Sequence, residues 1–145
     1  FSVDPTTLIA VAIDRKKKII YVKEHLYKPR LTTSQIAQIN LEICGRSLIV
    51  ADSAEPRLID ELRKAGCNIV AAEKGAGSIS LGVALLLDYQ IIVEENSTNV
   101  AKEFNNYVYA DKGSKLFVDD FNHAIDPLRY NVTFHLGKSH GIEIM

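Results

Sequence analysis

Short β-branched apolar runs alternate along the chain with stretches of helical period, and this order predicts an α/β domain. Thr6–Ile13 is apolar and rich in β-branched residues, and Ile19-Ile20-Tyr21-Val22 follows it across the charged Asp14-Arg15-Lys16-Lys17-Lys18. Two such runs joined by a polar tip predict a hairpin. Thr32-Thr33-Ser34 then offers helix caps, Ile36, Ile39 and Ile43 recur at helical spacing, and Gly45 supplies a stop. Residues 47–51 form a continuous apolar run that suits a strand buried on both faces. A helix over residues 56–65, with Leu58, Ile59 and Leu62 inward, and a strand over 68–72 complete a strand–helix–strand unit. Its short links imply a parallel pair with a right-handed crossover.

Farther on, the pattern predicts a helix over 79–87, a strand over 90–94, and a helix carrying Val100, Phe104 and Tyr107 behind the cap Ser97-Thr98-Asn99. Val108-Tyr109 and Leu116-Phe117-Val118 flank Ala110–Lys115 as the two arms of a hairpin. Residues 131–145 have no clear period and read as a strand-like end and a loose tail. The domain is therefore drawn over 1–136, with a flexible tail over 137–145.

The most informative stretch lies at 119–130. At 3.6 residues per turn, Phe121, Ala124, Ile125 and Leu128 fall on one apolar stripe. Asp119, His123, Asp126 and Tyr130 share the opposite face. An imidazole and carboxylates one turn apart suit a divalent metal or a general base, although a solvated polar face has the same pattern. Asp126-Pro127 is also a helix-start pattern, so the helix either kinks there or begins anew.

Composition narrows the function classes. The chain has 145 residues, is 47% hydrophobic and 24% charged, and has a net charge of −1. That is one domain of ordinary globular make-up, without the broad basic surface of many nucleic-acid binders. No apolar run is long enough for a membrane span, and no leader opens the chain. A chain that opens at Phe1 without methionine is expected to have lost residues upstream. Cys44 and Cys67 are expected to be reduced, buried thiols, and His25, His135 and His140 to be surface residues.

Two further places hold candidate chemistry. Asp52 stands at the carboxyl end of a parallel strand and before a helix, where open α/β sheets place ligands. The alternative is that Asp52 caps that helix, a task Ser53 could also perform. Glu73-Lys74-Gly75-Ala76-Gly77-Ser78 could bring backbone amides to a phosphate at a helix start. No GxxxxGK[ST] segment occurs, so an ATPase site is not expected. Lys74 is a candidate contact to DNA phosphate, as are Lys112 and Lys115 on the expected hairpin tip; the lysines at 16–18 read as a solvated turn.

Val50-Ala51-Asp52-Ser53-Ala54-Glu55-Pro56, Ala72-Glu73-Lys74-Gly75, and Asn122-His123-Ala124-Ile125-Asp126-Pro127-Leu128-Arg129-Tyr130 together resemble the C-terminal nuclease domain of tailed-phage large terminase subunits. The order, the spacing and the Ser97-Thr98-Asn99 segment leading to Glu103 and Tyr107 agree over nearly the whole chain. The resemblance implies an RNase H-like fold with a mixed central β-sheet flanked by helices on both faces. It implies a metal-dependent endonuclease that cuts concatemeric double-stranded viral DNA during packaging, in the host cytoplasm. Asp52, His123 and Asp126 match its catalytic and metal-ligand positions, and carboxylates with a histidine suit Mn²⁺ or Mg²⁺, two ions in the complete domain.

Implied partners are DNA, a small terminase subunit, a portal protein and an N-terminal ATPase domain, with no membrane. The family's first acid aligns upstream of Phe1, and Asp4 lies in the turn after it. A non-catalytic module docking DNA or the packaging machinery, and a nucleotide-binding domain built on residues 73–78, are the competing readings.

Overall fold

Residues 4–113 and 123–137 are described in the computed structural model, with side chains for 4–106 and 123–137. The opening hairpin forms as its pattern predicts. Strand β1, Thr6–Asp14, pairs antiparallel with β2, Ile19–Lys28, around a bulge between Leu8 and Ile9. β2 runs six residues past the expected Val22, because β1 offers a ladder along its full length.

Helix α1, Thr33–Cys44, begins at Thr32 with a capping box. The Thr32 hydroxyl accepts from the Gln35 amide and the Gln35 side chain accepts from the Thr32 amide, at 3.2 and 2.9 Å. Gly45 ends it at φ 54°, as expected of a residue without Cβ. Of the expected stripe only Ile36 is fully buried; Ile43 is 40% exposed, and Ala37 and Asn40 turn inward in its place.

Strand β3, Ile49–Ala51, helix α2, Pro56–Lys64, and strand β4, Ile69–Ala71, make the expected parallel unit. β3 differs from the expectation in being half-buried along its length. Helix α3, Ser78–Leu87, starts from Gly77 at φ 78°, and strand β5, Gln90–Val93, joins β2 in parallel. The sheet order is thus β1-β2-β5, with β3-β4 as a second ladder.

Helix α4, Thr98–Gly113, carries the expected Val100 and Phe104 but continues through Val108 and Tyr109. That corrects the hairpin expected there, since a helix already begun gains one hydrogen bond per added residue whatever the local β-propensity. Lys112 accordingly falls in this helix, while Lys115, the segment 116–118, Asp119, Phe121 and His140 lie outside the described residues. Helix α5, Ile125–Val132, passes into a π-helical turn, Thr133–Gly137, where a strand-like end was expected.

Two apolar clusters hold these layers. Ile20, Val22, Val100, Ala124, Leu128 and Val132 anchor the larger, under α4 and α5. Ile36, Ile59, Leu62 and Ile69 anchor the smaller, between α1, α2 and the β3-β4 ladder. Each fully buried aliphatic side chain contributes about 1.5–3 kcal/mol of burial free energy, so α5 is pinned chiefly by its inward stripe. Between β1 and β3 runs a cleft of about 820 Å³. Cys67 is buried and Cys44 partly so, and both are free thiols.

Candidate functional site

Three carboxylates and a histidine of interest line the cleft. Asp52, Asp126, His123 and Asp4 all line it, with β3 and α5 packed against each other. Asp52 leaves the end of β3, and its Oδ1 accepts from the Ala54 amide at 2.9 Å, a tight turn closed by its own side chain. Neither Asp52 nor Ser53 caps α2. The cap position is Glu55, with no side-chain cap bond, and Pro56 opens the helix. Asp52 is therefore not consumed as a helix cap. Its carboxylate forms an ion pair with Lys74, which arrives from the loop after β4. That pair holds the pKa of the Lys74 ammonium above its ordinary value.

His123 does not lie on a helical face, as the periodicity suggested. It sits in the turn before α5, whose cap position is Ala124. Pro127 explains the boundary: it occupies the first turn, where its missing N–H has no intrahelical partner, and Leu128 makes the first helical bond to Ala124 at 3.1 Å. The Thr7 hydroxyl donates to the His123 carbonyl at 2.7 Å, and the rings of Tyr27 and His123 meet edge-on with centroids 6.3 Å apart. Ala124, Ile125 and Leu128 fill the buried stripe as expected. Tyr130, expected on the polar face, is buried.

Asp126 is the second residue of α5. Its Oδ1 accepts from Arg129 at 3.1 Å, an i,i+3 pair whose arginine is 6% exposed and lies 4.9 Å from the Tyr130 ring centroid. Lys74 stands 5.3 Å from the same centroid. Burial pushes the Asp126 carboxyl above the ordinary range; Arg129 opposes this, and the Asp52 and Glu103 charges add to it. Asp52 is thus close enough to oppose the ionisation of Asp126. That is the electrostatic situation a divalent cation relieves, and two carboxylate oxygens with an imidazole nitrogen are a donor set that Mn²⁺ or Mg²⁺ accepts. Among the described residues no group of three His, Cys, Asp or Glu side chains closes on one point.

The periodicity missed three residues that shape this site. Glu103 is 2% exposed in α4, with its carboxylate on the start of α5 and on Tyr27. Arg129 could have been read from its i,i+3 spacing to Asp126. Glu103 and Tyr27 could not, since nothing local marks a buried carboxylate. His25 and His135, expected at the surface, are half-buried in the lining of the cleft.

A family model described as the terminase RNase H-like domain matches residues 1–133. The chain is 33% identical over 136 residues to the large terminase subunit of Bacillus phage SPP1, covering 88% of this chain and 32% of that protein. It is 32% identical over 123 residues to the PBSX phage terminase large subunit of Bacillus subtilis strain 168, covering 83% and 28%. The chain therefore spans about a third of the length of these curated relatives. The crystal structure of the large terminase nuclease domain from bacteriophage SPP1, with bound Mn, superposes with a TM-score of 0.74 at 29% identity, covering 90% of this chain and 78% of that one. The fold is RNase H-like, with mixed strands and flanking helices.

Proposed function

The chain belongs to the terminase RNase H-like domain family, and from that premise we propose that it is a divalent-metal-dependent endonuclease domain acting on double-stranded viral DNA during genome packaging. The observation that supports this reading is that Asp52, His123 and Asp126 all line one cleft, with the Asp126 carboxyl raised by burial and by Asp52. Asp52 and Asp126 would supply oxygens and His123 a nitrogen, a set that leans towards Mn²⁺. A divalent ion held there would supply Lewis-acid chemistry to phosphodiester hydrolysis, with Asp52, Asp126 and His123 as the residues that would hold it.

The chain's own groups prepare that centre. Arg129 holds Asp126 in one orientation, and the turn at Ala54 holds Asp52. Lys74 keeps a cation beside Asp52, where a DNA phosphate can take over the pairing, and Lys112 and Lys115 are the further proposed DNA contacts. In the whole protein the partners would be an ATPase domain, a small terminase subunit and a portal protein, in the host cytoplasm.

The ion pairs Lys74–Asp52 and Arg129–Asp126 favour a second reading, a module that docks DNA without cutting it. Plasmid DNA incubated with the protein and Mn²⁺ separates the two. The nuclease reading expects nicking that EDTA stops and Asp52→Ala abolishes. The docking reading expects binding with the plasmid left intact.

A further inference from the structure

The start of α5 is capped from a distance. A helix start leaves its first amides without intrahelical acceptors, and a Ser, Thr, Asp or Asn at the cap usually satisfies one of them. Here the cap position is Ala124, which belongs to the core and has no acceptor to offer. The Glu103 carboxylate reaches over from α4 instead. Its Oε1 accepts from the Ala124 and Ile125 amides at 2.7 and 3.1 Å, and its Oε2 accepts from the Tyr27 hydroxyl at 2.6 Å. Burying a carboxylate is costly unless it is fully hydrogen-bonded, and this one is 2% exposed. Ala124 is 1% exposed and packed in the larger core, so a polar cap has no room there and the acceptor comes from another element.

What it does achieve is positional. His123 immediately precedes the two clamped amides, and Asp126 immediately follows them. Three elements grip the segment: β1 through Thr7 on the His123 carbonyl, β2 through the Tyr27 ring against the imidazole, and α4 through Glu103. Tyr27 joins two of these grips, because its hydroxyl orients Glu103 while its ring meets His123. Metal–ligand distances tolerate only about ±0.2 Å, so a small slide of the α5 start would move both donors out of range.

We infer that Glu103, braced by Tyr27, is a positioning residue that sets His123 and Asp126 for the metal. This rests on the proposed nuclease reading. It predicts that the reach of the side chain matters more than its charge. Glu103→Gln keeps the reach: its Oε1 can accept from both amides and its Nε2 can donate to the Tyr27 oxygen. Glu103→Asp keeps the charge but is one methylene short of spanning α4 to α5.

The test measures Mn²⁺ binding by electron paramagnetic resonance of the free ion, alongside plasmid cutting, in the intact chain. Glu103→Gln should stay within about threefold of wild type, whereas Glu103→Asp should bind Mn²⁺ about ten- to hundredfold more weakly and lose kcat with KM for DNA unchanged. Cys67→Ala, in the smaller core and outside the cleft lining, should lower the melting temperature and leave Mn²⁺ binding alone. Where Glu103→Asp fails to fold, Tyr27→Phe replaces it, with an expected loss of about three- to tenfold. A folded Glu103→Asp, or its substitute Tyr27→Phe, with wild-type Mn²⁺ affinity overturns the inference. So does a Glu103→Gln protein as weak as Glu103→Asp. A wild-type chain that binds no Mn²⁺ overturns the nuclease reading itself, which distinguishes that failure from a failure of the positioning role.

Discussion

A Cβ built on Gly82 would collide with Cγ of Arg129 and stand 2.7 Å from its Cδ. Helices α3 and α5 therefore meet with no room for a methyl group, directly behind the arginine that holds Asp126. Gly82→Ala gains about 1 kcal/mol in helix propensity but must displace the root of a buried side chain, which costs about 1–3 kcal/mol. The net expectation is a lower urea midpoint, with Mn²⁺ affinity falling too because Arg129 is pushed off its carboxylate. A Gly82→Ala protein as stable as wild type would show that α3 can move away freely.

His123→Ala should abolish cutting at little cost in stability. The imidazole sits in a half-buried turn, outside the apolar stripe of Ala124, Ile125 and Leu128. His123→Asp should retain part of the activity, because it returns an oxygen donor to the same place. Plasmid nicking and thermal melts on both variants check this. Cutting at the normal rate by His123→Ala would leave the chemistry to the carboxylates.

Lys74 pairs with Asp52 and is also proposed to meet DNA. Lys74→Ala should weaken DNA binding across all sequences and reduce the slope of log K against log salt by about one. Lys74→Glu should weaken binding further. Affinities measured by fluorescence anisotropy over a salt series decide the point. Unchanged binding at low salt would move the DNA path, for instance to Lys16–Lys18 on the β1–β2 turn.

The raised carboxyl of Asp126 makes metal binding depend on pH. Burial favours its protonated form, so its contribution to metal-free stability is fullest in acid and is lost as pH climbs through the raised value. Mn²⁺ needs the ionised form, so its affinity should fall on acidification at a higher pH than an ordinary aspartate, with a pKa of about 3.9, would set. At the pH values where the affinity falls, calorimetry in buffers of different ionisation enthalpy should also detect a proton released on binding. In Asp126→Asn that proton release should disappear along with tight binding.

Elements with local signals were legible from the order of residues alone. The β-branched runs around Asp14–Lys18 are a hairpin, Thr32 with Gln35 is a capping box, and residues 49–71 are a parallel strand–helix–strand unit. Each depends on side-chain period, a cap or a short link, which involve residues close together in the chain. The family was legible for the same reason, from the short segments around Asp52 and His123–Asp126.

Packing between distant segments resolved what those signals leave degenerate. A period of 3.6 cannot tell a helical His123 from one in the turn just before a helix that Pro127 helps to start. β-propensity at Val108-Tyr109 cannot outweigh the growth of α4 from Ser97. Nothing beside Glu103 in the sequence marks it as buried, because its partners, Tyr27 and the Ala124 and Ile125 amides, are brought to it by the fold. Lys74 meets Asp52 only because β3 and β4 lie side by side. These are contacts between segments remote along the chain, and their energies arise only once the apolar stripes have closed on one another.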